Sequence, residues 1–395
     1  MSKLGELICE FCSNGVETVK IKNAFQRLKG TPITAARMKE INNPEGEIKV
    51  FAGGKTVITA KEKDIPNANV IRVPAVLVQS RGVIDVIYYD KPFTFKNEMW
   101  AYTTSDPTTV KYLFYVLKNN VQRFRDAASG MGSLPQISLP VTEEFEIPLP
   151  PIEIQCEIVR ILDNFTNLTA ELTAELTARK TQYGFYRDKL LTFGNSVECV
   201  PLGEVCDFVR GPFGGSLKKE IFVNDGYAVY EQQHAIYGRF DFRYFITEEK
   251  YEQMKRFQVV PGDLIMSCSG TMGKVSIIPQ GAKEGVINQA LLKLTPHKCV
   301  RSEYLKYYFE SSAFWGKITA QAQGGAIKNV ASVDVLKKMT ISMPSLDVQN
   351  RIVNVLDNFE KICSDLNIGL PAEIEARQKQ YEYYRDKLLS FKELT

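Results

Sequence analysis

Between residues 151 and 193 the apolar positions Ile154, Ile158, Ile161, Phe165, Leu168 and Leu172 follow steps of 4-3-4-3-4, the seam of a coiled coil. The rhythm returns between 345 and 391, at Val348, Ile352, Val355, Phe359, Ile362 and Leu366. Beyond these points the seam runs in fours through Leu176, or through Leu370 and Ile374. It resumes at Tyr183, Tyr186 and Leu190, or at Tyr381, Tyr384 and Leu388. A four-residue insertion unwinds a supercoil locally without losing its seam. The letters repeat with the pattern: L-D-N-F (162–165 and 356–359) precedes Y-R-D-K-L-L (186–191 and 384–389), and the first copy carries a tandem T-A-E-L at 169–176. Two long helices are predicted, the second broken at Gly369-Leu370-Pro371, since proline cannot continue a helix interior. At ~1.5 Å per residue the first is roughly 65 Å long, too long for one small domain to bury. Its stripe needs a partner, and its own twin running antiparallel is the expected one.

Residues 17–150 and 197–344 read as two lobes of one outline. Each opens with a short alternating strand (Val19 to Ile21; Val200 to Val205) and a glycine loop, Gly30-Thr31-Pro32 or Gly211-Pro212-Phe213-Gly214-Gly215. Strand signals follow at 73–78 and 260–266, with glycine turns at Gly82 and Gly270. Helices rich in Tyr and Phe come next, Val110–Leu117 and Tyr304–Phe309. A small-residue segment (Gly130-Met131-Gly132; Gly324-Gly325) then leads to a last strand, I-P-L-P or I-S-M-P. Ser138 and Ser332, Pro150 and Pro344, and Phe165 and Phe359 stand at one constant separation, the mark of a duplicated lobe plus helix. The predicted fold is mixed α/β (α+β): a lobe at 17–150, a helix at 151–196, a lobe at 197–344 and a helix at 345–395. Residues 1–16 form an amphipathic helical segment whose tail, F-C-S-N-G-V-E-T-V, echoes F-G-N-S-V-E-C-V after the first long helix. It is expected to complete the repeat beside the C-terminal helix.

Composition adds outer limits. The 395 residues suffice for two or three domains, and the 44% apolar and 24% charged fractions are those of an ordinary globular chain. No apolar run approaches the ~18 residues of a membrane span, and no signal-peptide layout opens the chain. A cytoplasmic location is expected. A formal charge of +3 permits a polyanionic partner without demanding one. The eight cysteines are scattered, with one C-x-x-C at Cys9 and Cys12, and the two histidines, His234 and His297, supply no second pair. Free thiols are expected rather than a metal site.

The chain offers little chemistry of its own. Gly53-Gly54-Lys55-Thr56 and Gly270-Thr271-Met272-Gly273-Lys274 lack the first glycine of a phosphate loop, where Lys49 and Cys268 stand. No dinucleotide fingerprint, nucleophile constellation or carboxylate dyad stands out, and Glu143-Glu144 and Glu248-Glu249 sit in polar surroundings. The loops instead mix cations with amides and hydroxyls, the side chains that neutralise phosphates and pair with base edges. The candidates are Lys29, Thr31, Arg37, Lys55 and Thr56 in the first lobe. In the second they are Arg210, Ser216, Lys218, Lys219, Gln232, Gln233, Lys274, Lys328 and Asn329. For spacing and subunit docking the helices offer Leu168, Leu172, Leu176, Tyr183, Tyr186, Ile362, Leu366, Ile374, Tyr381 and Tyr384.

Lobe, long helix, lobe, long helix, with twinned L-D-N-F and Y-R-D-K-L-L motifs, resembles over its whole length the DNA-specificity subunit of type I restriction-modification systems. The tandem T-A-E-L is similar to the subgroup called type IC. The resemblance implies that each lobe reads one half of a bipartite site in double-stranded DNA. It also implies that the helices space the lobes and bind two methyltransferase subunits, with two motor-nuclease subunits joining for restriction. S-adenosylmethionine, ATP and Mg would act on those partners, and this chain would hold no catalytic residue, metal or cofactor. The lobes diverge within the family, so no base-contacting residue carries over. The other reading of the residues is a coiled-coil adaptor whose lobes bind protein or carbohydrate.

Overall fold

The computed structural model of the chain describes residues 3–54, 56–129, 134–194, 196–213, 215–268, 271–321, 332–364, 368–392 and 394. The chain divides into two compact units, Met1–Leu172 with Ile374–Thr395, and Thr173–Glu373. The division falls inside the continuous helix Ile152–Leu190, between its two T-A-E-L tetrapeptides.

In the first unit Thr18–Lys20 pairs antiparallel with Glu146–Pro148, closing the lobe at its root. An antiparallel sheet follows in the order Gln26–Leu28, Trp100–Thr103, Ala75–Gln79, Asp85–Tyr89. A second sheet is ordered Val57–Ala60, Ile48–Phe51, Phe93–Phe95, its last pair parallel. Ala75–Gln79 is buried throughout, as the apolar run Ala75–Val78 requires, and the Gln79 amide donates to Gly54 O. The helix Pro107–Asn119 starts where proline tolerates the first turn and where the Asp106 carboxylate accepts from Thr109 N at 2.8 Å. It buries Tyr112, Leu113, Tyr115, Val116 and Leu117 in the unit's core.

The second unit repeats the plan. Cys199–Pro201 pairs with Thr340–Ser342. One antiparallel sheet runs Cys206–Arg210, Leu291–Pro296, Leu264–Ser267, Val275–Ile277. The other runs Phe245–Ile246, Tyr227–Tyr230, Gly285–Ile287, Gln258–Val259, with the middle pair parallel as in the first lobe. The helix Ser302–Glu310 buries Tyr304, Leu305, Tyr307, Tyr308 and Phe309. One expectation is corrected in both lobes: the opening strands stop at Lys20 and Pro201, and Ile21–Ala24 and Leu202–Val205 are short helices. Phe25 N donates to Ile21 O at 2.9 Å, the bond of a helical turn, and both side chains reach the core.

The first long helix covers 39 residues without a break. The second comes as Leu346–Ser364 and Leu370–Leu388, with Pro371 second in the restarted segment, as the sequence requires. Each helix start is tied down alike, Gln155 Nε2 donating to Pro150 O at 2.7 Å and Gln349 Nε2 to Pro344 O at 2.9 Å. The expected seam holds only in part. Ile154 and Ile158 are buried in the first lobe's core beside Leu162, which lies off the seam, while Val355 and Ile362 remain exposed. Each helix therefore carries two apolar faces. The face bearing the leucine of L-D-N-F packs on the adjoining lobe, and only the other face meets a helix.

The N-terminal segment docks where the repeat places it. Helix Lys3–Phe11 buries Leu4 in a cluster with Leu389, and Lys3 Nζ stands 3.6 Å from the buried Glu157 carboxylate. Val16 N donates to Lys392 O at 2.9 Å and Leu394 N to Val16 O at 3.2 Å. Among the described residues no helix is long and apolar enough to cross a membrane, and no His/Cys/Asp/Glu group is placed to hold a metal ion.

Candidate nucleic-acid interface

The two glycine loops are built alike, and their construction sorts the candidate cations. A Cβ on Gly30 would sit 2.1 Å from Phe95 O, and one on Gly211 would sit 1.9 Å from Asn288 O. Only glycine allows the chain to cross so close to the backbone at the end of the parallel strand. These glycines stand at the separation that relates Val19 to Val200, so Lys29 and Arg210, one residue earlier, occupy matched positions. Both are exposed, and neither side chain has an ion-pair partner among the described residues. Lys218, Lys219 and Lys274 share that condition. Such cations are available to phosphate oxygens without first breaking an internal pair.

Other candidates fare differently. Thr31 is fully buried, its hydroxyl 2.7 Å from that of Thr94 and accepting from Asn69 N at 2.9 Å. It holds the loop together and is withdrawn as a DNA contact. Arg37 is exposed but pairs with Glu40 at 2.9 Å, and Gln233 Nε2 donates to Glu231 Oε2 at 3.3 Å. Gln232 is half-buried at the head of the helix Gln232–Tyr237, and Ser216 N donates to Phe213 O at 2.9 Å. Lys55, Lys328 and Asn329 lie outside the described residues, as do Gly130-Met131-Gly132, Gly214, Gly270 and Gly324-Gly325. Gly53 and Gly54 form a turn between two antiparallel strands with Thr56 exposed, so no helix N-terminus follows to hold a phosphate. Lys274 lies likewise in the turn between Leu264–Ser267 and Val275–Ile277.

Sequence reasoning passed over Arg81. The turn it occupies converges with the Gly53–Thr56 turn: Gly54 N donates to Arg81 O at 3.2 Å and Gln79 Nε2 to Gly54 O at 2.5 Å. Arg81 is exposed and has no ion-pair partner among the described residues. Its signal was in plain view as the cation preceding the Gly82 turn.

The repeated motifs form a joint within each unit. In the first, Tyr115 Oη donates to Asp163 of L-D-N-F at 2.5 Å, and Lys111 pairs with the same carboxylate at 2.7 Å. Tyr112 Oη donates to Pro148 O at 3.0 Å. In the second, Tyr307 donates to Asp357, and Tyr304 Oη to Ser342 O at 2.9 Å. The signal was Y-L-x-Y, at 112–115 and 304–307. The phenylalanine of the same motif turns to the other helix. Phe165 stacks on Tyr384 at 5.6 Å and meets Tyr381 at 6.4 Å, while Phe359 lies 5.7 Å from Tyr186. L-D-N-F of each helix thus contacts Y-R-D-K-L-L of the other. In the second unit Tyr186 meets Phe359 while the Arg179 and Lys180 charges act on Cys363, so the helices run antiparallel. Leu172 is buried, Leu168, Leu176, Tyr183, Ile374 and Tyr381 are half-buried, Tyr186, Ile362 and Tyr384 are exposed, and Leu366 lies outside the described residues.

A family model described as the type I restriction modification DNA specificity domain matches residues 14–179 and again 195–376. The chain belongs to this family. As a type I DNA specificity chain it is 32% identical over 358 residues to the specificity subunit of an Escherichia coli type I restriction enzyme, covering 87% of each chain. It is 36% identical over 262 residues to a protein named as a type I restriction enzyme specificity subunit in Haemophilus influenzae, covering 63% of this chain and 64% of that one. The solved S subunit of a type I restriction-modification system from M. genitalium shares the fold, with a TM-score of 0.58 at 16% identity over 94% of this chain and 96% of that one. A chain from a solved type I R-M complex does so at TM-score 0.60 and 14% identity, over 95% and 97%. Both family matches take in a lobe with the long-helix segment that follows it, so the specificity family's repeat coincides with the joint.

Proposed function

We propose that this chain supplies the sequence specificity of a type I restriction-modification complex. Each lobe reads one half of a bipartite duplex site, and the helices set the spacing of the halves. The observation that carries this reading is the duplicated lobe topology with an exposed cation before each matched glycine, Lys29 and Arg210, on a chain of the specificity family. A twinned reader is what a two-part DNA site calls for. The chain acts as a non-catalytic subunit. Two methyltransferase subunits dock on the helices, where Phe185 and Tyr383, at matched places in Y-G-F-Y and Y-E-Y-Y, stand 61% and 62% exposed. Two motor-nuclease subunits complete the restricting complex, and S-adenosylmethionine, ATP and Mg act on the partners. The adaptor reading gains no support from the family match.

Modified-base sequencing of the host with and without this gene tests the proposal. Deletion is expected to abolish one bipartite adenine-methylation motif. An unchanged methylation pattern overturns the assignment.

A further inference from the structure

Phe213 is 93% exposed, the most exposed large apolar side chain among the described residues. The described residues on either side of it are held in place. Gly211 N donates to Leu291 O at 2.9 Å, and Gly211 packs against the Asn288 carbonyl where no side chain fits. Pro212 is buried, Ser216 N closes a turn onto Phe213 O at 2.9 Å, and Leu217 is buried again. A ring held out in water, with bonded residues before and after it, is prepared for a partner. The charges around it select the partner's chemistry: Arg210 precedes it, Lys218 and Lys219 follow, and all three are exposed without an ion-pair partner among the described residues. Cations flanking an apolar tip suit a polyanion with an apolar interior, which is duplex DNA. The matched position in the first lobe, two residues after Gly30, is Pro32, which carries no aromatic ring.

Resting on the DNA-specificity reading above, we propose that Phe213 is an apolar wedge that enters a base step of the half-site read by the second lobe. Its insertion partly unstacks and kinks that step. Recognition there then depends on how easily the step deforms, as well as on base edges. The first lobe, whose Pro32 ring reaches far less from the backbone than a phenylalanine or leucine side chain, reads its half-site without such unstacking.

The test uses the full chain assembled with its methyltransferase subunits, on the duplex whose bipartite motif modified-base sequencing has identified. 2-Aminopurine placed at successive positions reports unstacking by a rise in fluorescence. The rise is expected at one step, in one half-site only. Phe213→Ala should abolish it and slow methylation by about tenfold. Phe213→Leu, which keeps an aliphatic wedge, should retain much of both. No rise at any position, or a Phe213→Ala complex with wild-type fluorescence and rate, overturns the wedge. So does a Phe213→Ala chain that no longer assembles with methyltransferase by light scattering, because the ring then meets protein. If gene deletion leaves the methylation pattern unchanged, the specificity reading itself fails; a lost motif with an indifferent Phe213 removes the wedge alone.

Discussion

Tyr115 and Tyr307 each spend a buried hydroxyl on the aspartate of an L-D-N-F motif, and burial drives both phenols well above the ordinary tyrosine range. They stay neutral donors to a charged acceptor, an interaction of about 1.5–3 kcal/mol. Tyr307→Phe should lower unfolding free energy by about that much in a denaturant titration, and the double variant Tyr307→Phe/Asp357→Ala should lose far less in total than the two single losses combined. Additive losses would show the bond to be idle. Glu310 lies close by with its carboxyl raised: burial is the main cause, Lys306 opposes it and Glu360 adds to it. A carboxyl raised in the folded state contributes stability while protonated and loses it as pH climbs through the folded value. Glu310→Gln should therefore melt higher than wild type at neutral pH, the two converging as pH falls into the ordinary carboxylate range. A lower melting point for the variant at pH 7 contradicts this. Gly211 makes a third case, since a methyl group 1.9 Å from Asn288 O must displace backbone. Gly211→Ala should cost about 1–3 kcal/mol or more by thermal melting.

At the scale of the element, apolar spacing identified both long helices, and Gly369-Leu370-Pro371 identified the break in the second. Periodicity could not say which neighbour each face would meet. A 4-3 seam records that a stripe is covered and leaves the cover unnamed; Ile154 and Ile158 went to the lobe, Phe165 and Phe359 to the opposite helix. The loops were legible to a smaller degree. Lys29 and Arg210 emerged where a glycine fixes the backbone, but Thr31 looked the same in sequence and proved buried, since exposure of a loop side chain is decided by strands far away in the chain. The helix surfaces yield a test of docking. Phe185 and Tyr383 are large aromatics in water on matched helix turns, where interface hot spots concentrate. Phe185→Ala and Tyr383→Ala should each weaken methyltransferase assembly by about 1–3 kcal/mol, or roughly 5- to 150-fold in Kd by calorimetry, with melting temperature unchanged. Unchanged affinity in both variants would move the docking surface elsewhere.

For the whole molecule, the duplication could be read from constant separations such as Pro150 to Pro344, because a repeat preserves spacing after its letters have drifted. The sheet order of each lobe could not, since pairing Ile48–Phe51 with Phe93–Phe95 joins segments with no local signal between them. The feature left single by the duplication is the tandem T-A-E-L of the first helix. Its letters suit an adjustable helix: Leu172 and Leu176 take the covered side, Ala and Glu are strong helix formers, and Thr169 Oγ1 donates back to Phe165 O at 2.9 Å. Four helical residues advance ~6 Å and turn by ~400°, a net 40°. One base pair advances ~3.4 Å and turns roughly 35°. Removing Thr173–Leu176 should leave both half-sites unaltered and shorten the unspecified gap between them by about one base pair, and inserting a third T-A-E-L should lengthen it by as much. Modified-base sequencing of cells carrying each variant reads the gap directly. A gap of constant length in both would mean that the helix does not set the spacing, whatever else it holds.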